Sequence, residues 1–533
     1  MITTHTRTNS LNQGRFIAGL ALLAFSGTAI AQNQVLPSTD TIGTRRELFV
    51  DEVLIESITG DARQLLHHPT PREIVLVCDK PWEGNGLNYV TVFQDGDLYR
   101  MYYRGIDADR GIWRTHETVY CYAESRDGVH WKRPNLGLVE FGGSKINNII
   151  LTEEDKAFGH PGAVKDSAGG GPGFAAYNFA PFLDHNPATP ESERYKAIGG
   201  GPILAFVSAD GIRWQKAKDY PIILSKTRGE FDSMNVAFWD GLRGEYRAYH
   251  RVPRHGRDLM TETSKTFSED WSERIFLEYT PSRGGELYTS QITPYHRAPH
   301  FFLGFPTRYE DRGLTPSTKH LPQWKVRQFR STADPREGNA VTEGLFMASR
   351  DGRNFRVFQE AFIRPGLRTK DSWFYGDMYQ NNGLVETKSS IAEDAPNELS
   401  MYLTEGTLQN GKPGKLRRYT LRLDGFVSIH ATMEGGQVTT KPIRFSGTKL
   451  TLNYSSSARG GIRVGLVDTA GKAIAGYSLD ECPWIYGDHL DRPVEWYRGE
   501  EVTNDVSTLA GKLVKIIFEL KDADLYSYQF VGQ

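Results

Sequence analysis

The chain has 533 residues, 39% hydrophobic and 12% aromatic, enough to bury a large core and to form more than one domain. A formal net charge of -2 without any Lys/Arg-rich run argues against nucleic acid or an anionic membrane surface as the partner. Cys78, Cys121 and Cys482 are too few and too scattered for a disulfide framework, so packing must supply the stability.

Arg7 and Arg15 precede an apolar run from Phe16 to Ala24 and an Ala29-Ile-Ala31 site, the layout of a signal peptide over residues 1–31. This predicts a secreted or periplasmic protein with no membrane span after cleavage, because no later stretch is long and apolar enough. Residues 32–56 read as a lead-in and closing strand, with Glu47 to Ile55 pairing to a distant partner.

Asn88 to Trp131 is a β-meander. Alternating apolar and aromatic runs at Asn88 to Phe93, Leu98 to Arg104 and Val119 to Ala123 are joined through Asp-Gly turns, and the unit closes on Ser125-Arg-Asp127-Gly128-Val-His-Trp131. The closing turn, Ser-x-Asp-Gly-x-x-Trp, recurs around Asp210 and Asp351, in worn form at Asp270 and in part at Asp424. The aspartates are 83, 60, 81 and 73 residues apart, long enough for about four strands per repeat. The fold class is therefore all-β: a five-bladed β-propeller over 57–425, then a C-terminal β-sandwich over 426–533, where strands alternate without the turn signature. Glycine-rich Ala168 to Gly173 lacks the setting of a phosphate loop and reads as linker.

In a propeller the start of strand one and the end of strand two meet at the channel mouth, whereas the Asp-Gly turns lie on the opposite face. Asp127, Asp210, Asp270 and Asp351 are thus read as turn formers. The catalytic candidates are Glu83, Asp232, Glu286 and Asp377, at or near the starts of first strands; unit two offers Tyr177 and Asn178 instead of an acid. Carboxylates converging on one polar funnel suit glycosidic hydrolysis, in which one acid protonates the leaving oxygen and another carboxylate activates water or attacks. Channel lining or capping is the structural alternative. Asn88, Tyr89, Asn178, Asn235, Tyr288 and His250 stand beside these acids as substrate contacts. Arg104 and Arg251 share one register and would either clamp a carboxylate or sulfate on the sugar or salt-bridge the acids. No zinc or serine-hydrolase motif is present, no cofactor is called for, and a structural calcium ion is left open.

The segment Asp97-Leu-Tyr-Arg-Met-Tyr-Tyr-Arg-Gly, the Ser-x-Asp-Gly-x-x-Trp turns, the Leu48-Phe-Val-Asp start and the trailing strands resemble secreted five-bladed propeller proteins related to glycoside hydrolase families 32 and 43. The resemblance implies a propeller with a packed sandwich and a glycosidase with acidic residues on several blades. It departs from the family at Asn88, which stands where a blade-one Asp is expected, so roles do not carry over one for one. The turns are also similar to shortened sialidase Asp-boxes. The expectation is a secreted glycoside hydrolase acting on a poly- or oligosaccharide, with Asp232 and Glu286 as the pair and Glu286 suited to the acid role if its surround is apolar. The alternative is a non-catalytic propeller that binds carbohydrate or protein.

Overall fold

A computed structural model describes residues 40–107, 116, 118–152, 178–227, 229–332, 334–370, 372–407 and 412–532. The expected signal peptide, the glycine-rich linker and Tyr177 lie outside the described residues. What is described is nearly all β, in a propeller-like arrangement. Four sheets have four strands each, a fifth has seven and a sixth has ten, with one further hairpin at Trp496–Arg498 and Glu501–Thr503.

The opening meander forms the first small sheet: Thr91–Asp95, Leu98–Gly105, Val119–Ser125 and, after a long connection, Ile149–Thr152. Its register brings Thr91 opposite Tyr102 and Ser125 opposite Tyr99. The start of strand one therefore lies at the end of strand two, and the closing turn falls at the other end of the sheet. The same order recurs from Ala180–Leu183 to Gln215–Lys216 and from Val236–Asp240 to Ile275–Phe276. The last four-stranded sheet joins Val385–Thr387, Glu398–Glu405 and Lys415–Arg422 to Thr70–Val77. The closing strand is thus Thr70–Val77 and not a segment of 32–56. Residues 41–66 instead supply four strands to the ten-stranded sheet, whose other six come from 427–531. Arg46–Leu48 pairs with Leu513–Val531, the distant partner expected for the early strand, although the strand is shorter than Glu47 to Ile55.

First strands touch around the ring. Val92 donates its N–H to the Asn382 carbonyl (2.8 Å), and Asn382 donates to Val90 (2.9 Å), which joins the beginning of the ring to its end. The repeated turns bind neighbouring sheets from outside. Asp127 Oδ1 accepts the N–H groups of Val129 and His130, both at 2.8 Å, and Asp351 repeats this with Arg353 and Asn354. Burial pushes the Asp127 carboxyl up, but the His130 ring and these N–H groups outweigh it and hold it below the ordinary value. The glycine that follows each aspartate has φ of 73–76° and accepts a tyrosine hydroxyl from the preceding sheet: Tyr402 to Gly128 (2.6 Å), Tyr102 to Gly211 (2.9 Å) and Tyr249 to Gly352 (2.7 Å). The left-handed backbone and the close hydroxyl both demand glycine. The turn-former reading of these aspartates agrees with this geometry.

Unit four differs most from its repeat. The sheet around Ile292–Tyr295, Ala298–Gly304, Ala340–Ser349 and Asn354–Ile363 gains Glu278–Thr280, Glu286–Leu287 and Thr307–Asp311. Between Asp311 and Ala340 lie three short helices, α1 (Pro316–Lys319), α2 (Trp324–Arg330) and α3 (Pro335–Asn339). Thr315 and Asp334 cap α1 and α3, each with proline at the first helical position. Helices this short display no 3.6-residue period in a sequence.

Asp424 pins the ring to the ten-stranded sheet. Fully buried, it accepts from Tyr295 (2.8 Å) and Arg297 (2.9 Å) on one side and from Arg46 (3.2 Å), Asn453 (3.1 Å) and Ser527 (2.8 Å) on the other. Burial alone raises its pKa, but Arg46 and Arg297 more than offset it and keep the carboxylate ionised. The three cysteines are buried and unpaired.

Candidate active site

At the end of the ring opposite the Asp-Gly turns, buried tyrosines from three sheets pack into a continuous floor, each with less than a tenth of its surface exposed. Ring centroids of Tyr89 and Tyr379 are 6.2 Å apart, Tyr379 and Tyr288 5.5 Å, Tyr288 and Tyr375 6.0 Å, and Tyr375 and Tyr309 5.8 Å. The Tyr375 hydroxyl donates to that of Tyr288 at 2.8 Å. Tyr89 of this cluster, and Asn178, Phe231 and Met378, adopt a left-handed backbone with φ near 60°. Such non-glycine residues cluster where surrounding structure holds a site in place.

Arginines rim the floor. Arg104 lies 4.6 Å from the Tyr89 ring, and Arg251 and Arg257 flank Tyr288 at 5.2 and 4.9 Å. Arg257 also covers Tyr309 at 4.1 Å, and Arg336, from α3, stands 5.6 Å from Tyr375. Cation–aromatic contact explains how several guanidiniums share one apolar floor.

Two of the expected acids reach this cluster. Asp232 is presented by the turn Phe231–Asn235 and pairs with Arg251 at 3.0 Å, its side chain 46% exposed. Glu286 is 34% exposed and accepts from both the guanidinium (2.8 Å) and the N–H (3.0 Å) of Arg257. Gly256 makes room for it, since a Cβ there would lie 2.6 Å from the Glu286 carboxyl carbon. The apolar surround expected of Glu286 is absent. Both of its partners are hydrogen-bond donors of Arg257.

The other two acids lie elsewhere. Glu83 is wholly buried, accepting from Tyr103 (2.6 Å), the Lys80 N–H (3.0 Å) and Arg133 (3.2 Å), and burial raises its pKa. These bonds make it part of the scaffold behind the first sheet. Asp377 is buried beneath the floor, where it accepts the N–H groups of Thr407 (3.1 Å) and Phe374 (3.3 Å); desolvation pushes its pKa up to about 7.

Among the expected substrate contacts, Arg104, Arg251, Tyr89 and Tyr288 belong to the cluster. Asn235 and Asn178 both donate to the Phe231 carbonyl at 3.1 Å and so shape the turn that carries Asp232. Asn88 is buried against Thr407 (2.8 Å), and His250 is buried against Glu262 (3.0 Å) under Phe231, away from the tyrosines. Arg257, Arg336, Tyr309, Tyr375 and Tyr379 escaped the sequence. Tyr375 and Tyr379 flank Asp377, but Arg257 opens the strand Arg257–Ser264 just after a hairpin turn and Arg336 lies in the helical insert, where nothing repeats.

A cavity of about 650 Å³ opens at the other face, beside the turn at Asp351. Its four arginines are all ion-paired: Arg45 and Arg350 to Glu47, Arg350 also to Asp51, Arg356 to Glu52, and Arg243 to Asp240. None of the acids singled out for catalysis lines it. Among the described residues no group of three or more His, Cys, Asp or Glu side chains could hold a metal ion, and no helix is long and apolar enough to cross a membrane.

No protein-family profile matches the chain, and no curated protein does. Solved structures similar to part of it include a thermostable family-43 glycoside hydrolase (9% identity, TM-score 0.41, 66% of this chain and 95% of that one). Others are a putative glycoside hydrolase from Bacteroides ovatus (13%, 0.37, 67% and 97%) and the catalytic domain of a Coprinopsis cinerea GH62 α-L-arabinofuranosidase (9%, 0.39, 67% and 97%).

Proposed function

We propose that this protein is an exported glycoside hydrolase, processed after Ala31, whose five-bladed propeller counts the seven-stranded sheet as its fourth blade and whose ten-stranded sheet is a trailing sandwich. The observation that carries the reading is that Asp232 and Glu286, the two partly exposed members of the four acids, pair with Arg251 and Arg257, which flank the same Tyr288 ring. Glu286, held by two donors of Arg257, serves as the carboxylate that activates water or attacks the anomeric carbon. Asp232, the more exposed of the two, is the second carboxylate of the pair. The buried rings of Tyr288 and Tyr379 back the site, and Asn178 and Asn235 hold the turn that aims Asp232.

The test is a screen for reducing-end release from neutral, uronic and sulfated glycans, followed by Asp232→Asn and Glu286→Gln. Each variant is expected to lose at least about 100-fold in kcat with its fold intact. Full activity in both removes the assignment. A second reading, a carbohydrate-binding propeller without catalysis, is favoured by the ion pairs that already engage Asp232 and Glu286. It predicts sugar binding with no release of reducing ends from any glycan.

A further inference from the structure

The arginine rim carries more than the reading above uses. Arg251 has only 8% of its side chain exposed, and its Nη2 donates to the Gly229 carbonyl (3.1 Å) and to Asp232 (3.0 Å), while Nη1 is buried without a hydrogen-bond acceptor. Arg257 spends one Nη and its N–H on Glu286, while its Nε is buried without an acceptor. Both guanidiniums flank the Tyr288 ring. Tyrosine faces attract cations but do not satisfy their N–H groups. A buried guanidinium donor left unmet is costly, and the acceptor that best satisfies two forked cations is an anion with several oxygens. The hydroxyls of a neutral sugar are already provided for by Asp232 and Glu286. Arg336, reaching the same floor from α3, extends the positive rim toward Tyr375.

We propose that the site selects an anionic sugar, taking the carboxylate of a uronic acid or a sulfate ester between Arg251 and Arg257 above Tyr288. The inference rests on the tyrosine floor being the sugar site, and it concerns recognition, so it stands or falls apart from hydrolysis.

The experiment is calorimetric titration of the full chain with D-glucuronate, D-galacturonate and glucose 6-sulfate, beside the uronate methyl esters and glucose as neutral counterparts. At least one anionic probe is expected to bind about tenfold or more tighter than its neutral counterpart, as one lost charge-assisted bond implies. That affinity should fall with rising ionic strength and in Arg257→Gln and Arg251→Gln. Binding confined to the uronates assigns a carboxylate, and binding confined to the sulfate assigns a sulfate ester. Equal binding of acid and ester, no binding of any anionic probe up to about 50 mM, or unchanged anion binding in both arginine variants overturns the proposal. If a variant fails to fold, the acid-versus-ester comparison on the unaltered chain decides. Anion-selective binding without reducing-end release keeps this inference and removes the hydrolase; cleavage of neutral glycans without anion preference does the reverse.

Discussion

Asp377 supplies the most quantitative test of the electrostatics. Its carboxyl is buried, and desolvation, only partly offset by the N–H groups of Thr407 and Phe374, takes its pKa from an ordinary 3.8 to about 7. A raised folded-state pKa means that the folded protein holds the proton more tightly than the unfolded chain does. The group therefore costs nothing below about pH 4, where it is protonated in both states. Stability falls as pH rises between the two values, and the full cost of a buried charge is present above about pH 7. Each pKa unit corresponds to about 1.4 kcal/mol, so this one group should remove about 4 kcal/mol between pH 4 and pH 7. Asp377→Asn abolishes the titration while keeping one acceptor for the two donors, so its stability should lack that fall. Denaturant midpoints of both proteins, measured from pH 4 to 8, give the difference directly, and other titrating groups cancel between them. Parallel pH profiles for the two proteins would refute the claim that Asp377 is desolvated.

Two further substitutions test the scaffold. Gly211→Ala puts a methyl group 2.7 Å from the Tyr102 hydroxyl at a backbone φ of 73°, and thermal unfolding should show a loss of about 1–3 kcal/mol. Tyr102→Phe, which removes only the hydroxyl, should cost about 1 kcal/mol in the same assay. Asp424→Ala leaves Arg46 and Arg297 facing a buried gap between the ring and the ten-stranded sheet, with an expected loss of about 3–5 kcal/mol. Limited proteolysis of that variant should cut near residue 424 first; uncut chain at the same protease dose would show that the contact is dispensable.

Much of the ring was legible because its signals are local. An Asp-Gly turn and a two-residue alternation require only neighbouring residues, so the small sheets and the structural role of Asp127, Asp210 and Asp351 could be read in advance. Unit four was read less well: its extra strands and α1 to α3 break the repeat, and helices of four to seven residues carry no period. The closing strand was misplaced because Thr70–Val77 pairs with Lys415–Arg422 across most of the chain. Edge pairing at that separation leaves no mark in either segment.

The sequence by itself determined the all-β character, the repeat, and which end of each unit lies opposite the Asp-Gly turns, all of which follow from turn residues and side-chain alternation. Only the tertiary structure decided which acids are available. Asp232 and Glu286 differ from Glu83 and Asp377 in what packs around them: Tyr103 and Arg133 close over Glu83, and Thr407 closes over Asp377, contacts made only when separate strands and loops come together. It also decided the rim of the site, since Arg257 and Arg336 acquire their place over Tyr288, Tyr309 and Tyr375 only when a hairpin and a helical insert fold back on the floor.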